Sequence, residues 1–73
     1  MLYQIPRNGN WVDPRTVTRV TATRERVFGE LRIAATVDVV TYDRTETVVC
    51  AGDEDAVDMR DEIAKAVNEG AKE

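Results

Sequence analysis

Histidine is absent from this chain, cysteine occurs once, and aromatics are scarce: one Trp, one Phe and two Tyr in 73 residues. Each shortage excludes something. Without His the commonest transition-metal ligand is missing, and so is the usual base for a Ser or Cys nucleophile. One Cys cannot make an internal disulfide. No apolar run approaches the roughly 18 residues of a membrane-spanning helix. Met1 to Arg7 lacks the apolar stretch of a secretory signal. A lone Cys fits a reducing compartment, so a cytoplasmic location is expected, in the host if the chain is phage-encoded.

Size adds a further limit. A chain this short buries only about 60% of its unfolded surface. Val, Ala and Thr must fill a thin core that large side chains do not. Scaffolds of this size lean on disulfides, metal or self-association. With the first two unsupported, a homo-oligomer is expected.

Charge is present and uneven. The chain carries eight Arg and two Lys, and its formal net charge is −4. Residues 1–32 hold six Arg against Asp13, Glu25 and Glu30, whereas residues 53–73 hold Arg60, Lys65 and Lys72 against eight acids. A basic front and an acidic tail can pair within a fold, between subunits or with a partner. The preference for Arg over Lys, with abundant Ala, Val, Asp and Thr, suggests a GC-rich genome such as that of an actinobacterium or its phage.

Leu31, Ile33, Ala35, Val37 and Val39 alternate with Arg32, Ala34, Thr36 and Asp38. Period two over nine residues predicts a half-buried β-strand with its odd positions on the core. The other elements are expected to cover this strand or pair with it. Tyr3 and Ile5 belong to a short first strand that ends at Pro6. Asn8-Gly9 is a two-residue turn signal, Trp11 and Val12 return, and Asp13-Pro14 breaks the strand. Val17 and Val20 are three apart, which fits a helical turn or a bulged strand better than clean alternation; the Thr residues around them favour extended structure, so Arg15 to Thr23 is expected to form one irregular strand. Arg24-Glu25-Arg26 reads as a turn, after which Val27 and Phe28 begin the long strand. Gly29 is either a bulge or a second turn that divides it. The strand runs to about Tyr42, turns at Asp43-Arg44, and returns over Thr45 to Ala51, with both faces covered at Val48, Val49 and Cys50.

Asp53 to Glu69 is the one predicted helix. Acids at its start suit free amides and the macrodipole. Ala56, Met59, Ile63, Ala66 and Val67 define an apolar stripe, and Gly70 is a C-terminal stop. The expected fold is α+β: a small antiparallel sheet of three to five strands with one C-terminal helix on one face. It forms a single domain over 1–73, with 70–73 as a frayed tail.

The order of these signals resembles that of the FlbD/SwrD-type flagellar accessory proteins. Asn8-Gly9, Trp11-Val12-Asp13-Pro14, Val17 with Val20, and the stripe from Ala56 to Val67 carry the likeness. It implies a β-rich layout with a C-terminal helix and no flagellar role. The insert from Thr23 to Gly29 departs from the pattern, as does the Arg-rich composition. In size and composition the chain is also similar to small accessory proteins of actinobacterial phages.

Candidate sites are few. Asp53, Asp55 and Asp58 suggest hard-cation binding, but Val57 and Asp58 occupy positions where a Ca²⁺ loop needs an oxygen ligand and a Gly; a solvated helix start is the simpler reading. Cys50 lies among apolar neighbours, which dull a thiol. Arg15, Arg19, Arg24, Arg26 and Arg32 suggest phosphate contact, with Trp11 or Tyr3 stacking a base. An overall acidic chain argues against nucleic acid, and pairing with the acidic helix or a solvated face is the competing reading. Tyr3 and Trp11 read equally as a partner-binding pair or as core. No phosphate loop, catalytic triad or paired Cys ligands occur. The expectation is a non-catalytic accessory module without a cofactor. It would bind a protein partner of unknown identity through Tyr3, Trp11, Arg15, Arg19, Arg24 and Arg26. Nucleic acid, through the Arg group, is the alternative.

Overall fold

The computed structural model describes residues 2–72. The chain opens with a two-stranded ribbon, β1 (Tyr3–Gln4) against β2 (Trp11–Val12). Tyr3 faces Val12 and Gln4 faces Trp11. The connection is longer than the expected Asn8-Gly9 pair. Ile5 N–H donates to the Asn10 carbonyl and Gly9 N–H to the Ile5 carbonyl, so Pro6 to Gly9 form the loop. Pro6 ends β1, and positive φ falls on Arg7 (65°) and Gly9 (79°) and not on Asn8.

A 3₁₀ turn at Pro14–Thr16 follows, capped by the Asp13 carboxylate on the Arg15 amide. It leads into β3 (Val17–Thr23), whose register slips between Val17 and Arg19. This bulge explains the three-residue spacing. One extra residue returns Val20 to the side of Val17, and both pack on the core.

Beyond β3 the chain does not turn at Arg24-Glu25-Arg26, as its polarity suggested. It continues as β4 (Arg26–Phe28), reverses at Gly29-Glu30, and comes back as β5 (Leu31–Ile33) and β6 (Thr36–Thr41). Thr23 faces Thr36, Arg26 faces Ile33, and Phe28 faces Leu31, so one antiparallel register runs from β3/β6 into β4/β5. Gly29 is therefore the dividing turn and not the bulge. Its φ of 62° suits the first central position of a type II′ hairpin, which favours Gly.

The nine-residue alternation is thus two strands, and its odd positions share a side but not a fate. Ala35, Val37 and Val39 are buried, whereas Leu31 and Ile33 are exposed. The physical reason is length. Leu31 to Val39 spans roughly 27 Å of strand. The helical stripe from Ala56 to Val67 spans only about 16 Å. The strand outruns its cover.

β6 turns through Tyr42-Asp43 into β7 (Thr45–Val49), one residue earlier than expected. Thr41 and Arg44 close the turn: the Thr41 amide donates to the Arg44 carbonyl, and the Thr41 hydroxyl accepts from the Arg44 amide. The central sheet is ordered β3-β6-β7. Val48 and Cys50 are buried, but Val49 faces out, so β7 is covered on one side only. Along its outer edge the N-terminal loop takes hold. The Asn8 side-chain amide donates to the Thr47 carbonyl, and Asn10 donates to Glu46.

Helix α1 (Asp53–Ala71) crosses the other side of the sheet. Ala56, Met59, Ile63 and Val67 of the predicted stripe are its buried residues, and Ala66 at the stripe's margin is half-buried. They meet Val37, Val39, Val48, Ile5 and Val12 in one cluster. The helix runs through Gly70 instead of stopping there, so positions 70 and 71 are helical, not frayed; Glu73 lies outside the described residues. Gly70 serves packing. A Cβ there would lie 2.7 Å from Pro14 Cγ, so only Gly lets the last turn close on the 3₁₀ segment. The result is a small α+β fold with antiparallel sheets and one C-terminal helix. It measures 46 × 23 × 19 Å. Its radius of gyration of 12.8 Å exceeds the ~11 Å of a compact chain this long; the β4/β5 hairpin provides the excess.

Candidate functional site

The projecting hairpin is the most unusual surface of the molecule. Val27 is 62% exposed, Phe28 59%, Leu31 61% and Ile33 37%. The only Phe of the chain is thus at the tip of an arm, in a protein with little apolar bulk to spare. Clustered exposed apolar side chains of this kind mark interaction sites more than they do stability.

Register assigns the arm two distinct faces. Ala22 packs on the core, so alternation carries Arg24, Arg26 and Phe28 along the helix side. Opposite them on that side come Ile33 and Leu31. The other side shows Val27, Glu25, Arg32 and Ala34. There Arg32 pairs with Glu25, while the Glu25 amide donates to the Asp53 carboxylate at 2.7 Å. That last bond ties the root of the arm to the first turn of α1.

Between arm root and helix lies a groove of about 580 Å³. Ala22, Ala56 and Val57 line it with apolar atoms, Arg24 and Arg60 with cations, and Asp53, Glu54 and Asp58 with anions. Among the described residues Arg24, Arg26, Glu54 and Asp58 form no ion pair. The three aspartates at the helix start do not converge as a cation site would require. Asp53 accepts from the Glu25 amide. Asp55 accepts from the Ala51 amide and takes a two-pronged contact from Arg7, at 2.6 and 3.1 Å. The Arg7 guanidinium, with the Ala51 amide, holds the Asp55 carboxyl down to about 2.

No known protein family, curated protein or solved structure matches this chain. The site is therefore read from its own residues, and the FlbD/SwrD-like order of signals remains a likeness of pattern alone.

The six predicted partner-binding residues do not come together. Tyr3 is half-buried against the core, where burial and Glu62 push its hydroxyl pKa up. Trp11 is exposed, but β1/β2 pairing sends it to the opposite side of the ribbon from Tyr3, and its carbonyl accepts from Arg44. Arg15 folds back on Asp13 with bonds of 3.2 and 3.1 Å. Arg19 lies beside Val40 on the open side of the sheet. Only Arg24 and Arg26 share a face, the helix side of the arm. The Arg group thus splits between two sides of the sheet and an internal ion pair, and no continuous basic face results.

Sequence reasoning missed Phe28, Leu31 and Ile33 as surface residues. The signal was present in the lengths: a stripe of about 16 Å cannot seal a strand of roughly 27 Å. Cys50 is buried, and burial followed by the nearby Asp55 pushes its thiol pKa up. That environment yields a packed side chain and not a nucleophile.

Proposed function

We propose that this chain is a non-catalytic protein-interaction module whose docking element is the β4/β5 arm. The observation that carries the reading is the exposed set Val27, Phe28, Leu31 and Ile33 on a hairpin that projects past its own helix. Apolar anchors on a hairpin whose register continues that of the central sheet suit protein contact, because a partner can bury them. Arg24 and Arg26 flank these anchors and supply orientation. The non-catalytic reading draws support from the buried, dulled Cys50 and the lack of His, which leave no evident nucleophile–base pair. A small cytoplasmic accessory protein fits this picture. Among the described residues, no helix is long and apolar enough to cross a membrane.

The test compares the full chain with Phe28→Ser/Leu31→Ser, after circular dichroism has shown both to be folded. Each is immobilised and exposed to cell lysate. Proteins held by the wild type are identified, purified and titrated. The double variant is expected to bind at least ~10-fold more weakly, as loss of two anchors implies. Equal affinity overturns the reading. A gel-shift titration across salt addresses nucleic acid: retardation that fades steeply with salt would move the assignment to the Arg group.

A further inference from the structure

We infer that the arm docks on a second copy of this chain, in a two-fold dimer where each arm lies in the groove of its partner. The inference rests on the docking reading above and names the occupant. Three observations converge on it.

The first is charge. With Arg32 held by Glu25, the arm retains Arg24 and Arg26 against Glu30. With Asp55 held by Arg7, the first two turns of α1 retain Asp53, Glu54 and Asp58 against Arg60. The arm thus carries a net positive charge and the first two turns of α1 a net negative one; Arg24 also lines the groove beside these acids but makes no ion pair with them.

The second is chemistry and size. Phe28, Leu31 and Ile33 share the helix side of the arm with Arg24 and Arg26, while Ala56 and Val57 lie between the helix acids. Arg24 to Phe28 covers ~14 Å of strand, and Asp53 to Arg60 covers ~10 Å of helix. Both are short surfaces that set apolar atoms beside charge, and their net charges are opposite in sign.

The third is placement. Arm and groove adjoin on one side of the molecule, because Asp53 is bonded to the arm root. A self-complementary patch of this kind is what a two-fold interface requires: each contact is made twice, and closure is complete at two copies. The arm's helix side, uncovered within one chain, becomes covered in the pair.

The experiment is a charge exchange read by sedimentation and light scattering, from about 1 to about 100 μM. The wild type is expected to dimerise in that range. Arg24→Glu/Arg26→Glu reverses the arm, and Glu54→Lys/Asp58→Lys reverses the groove; all four residues are exposed. Each double variant alone is expected to dissociate at roughly 10-fold higher concentration or more, since like charges then face each other. An equimolar mixture of the two restores both contacts, so a heterodimer of near wild-type affinity is expected. A wild type that stays monomeric throughout overturns the inference, as does a dimer indifferent to either pair or a mixture that fails to associate. Phe28→Asp serves as an independent check, since it too must weaken the dimer. A monomeric wild type whose arm still governs capture of a different protein would remove the second copy and leave the docking function standing.

Discussion

Truncating Leu31 and Val37 to Ala, one at a time, separates the sealed half of the strand from the open half. By side-chain size Leu31 should matter more. The structure reverses the order, because Val37 is completely buried between sheet and helix while Leu31 is 61% exposed. Val37→Ala removes two methyl groups, about 1.6 kcal/mol of transfer energy. The residual cavity raises the total to roughly 2–3 kcal/mol. For 73 residues the whole stability is of order 4–11 kcal/mol, so the loss is large. It corresponds to a fall in Tm of roughly 8–24 °C for a domain of this size. Leu31→Ala, measured on dilute protein, should stay within about 0.5 kcal/mol of wild type. Urea unfolding followed by circular dichroism reads both, with unchanged m-values as the sign that only stability has moved. Raising the protein concentration should open a deficit for Leu31→Ala, because association stabilises the wild type by mass action. A cost above about 1.5 kcal/mol for Leu31→Ala in dilute solution would mean the arm is sealed within one chain, a loss on the scale of core substitutions, and the docking argument would fail with it.

Three further outcomes follow from individual contacts. Asp55 has a native pKa of about 2, below its ordinary value because Arg7 and the Ala51 amide favour the carboxylate. Its contribution is therefore complete above the unfolded-state value of about 4, and is lost as pH falls towards 2; acid titration of Asp55→Asn should show a shallower decline between those limits. Gly70→Ala should lower Tm although Ala is the better helix former by about 1 kcal/mol, since the new Cβ would meet the buried Pro14 ring at 2.7 Å; a rise in Tm would contradict the packing described. Cys50 should resist alkylation in the native protein and react at a rate set by opening of the core, because it is buried with its thiol pKa raised; reaction as fast as in urea would refute that placement.

Local patterns were the legible part of this chain. The helix stripe, an irregular strand around Val17 and Val20, the pairing of β6 with β7 and the α+β class all follow from spacing over a few residues. What spacing cannot supply is whether an opposing surface exists. Alternation correctly put Leu31 and Ile33 on the side of Val37, yet nothing local states that α1 ends before reaching them. Gly70 misled for a related reason: its role depends on Pro14, at the far end of the chain, and not on its neighbours. Val27 and Phe28 were placed in a strand but not on an arm, because polar Arg24-Glu25-Arg26 looked like a reversal when it is a straight passage. The arginines were legible as a composition and not as a surface. A slip of register or one ion pair sends each of them elsewhere, and only Arg24 and Arg26 emerge side by side.

The hold of Asn8 and Asn10 on β7 has an effect that reaches past one molecule. A sheet with two bare margins can recruit strands without limit, which is the route to fibres. Here the N-terminal loop occupies one margin of the central sheet with side-chain amides. Any strand added to that sheet must therefore come alongside β3. A chain with so modest an interior can thus expose a sticky arm without inviting runaway polymerisation.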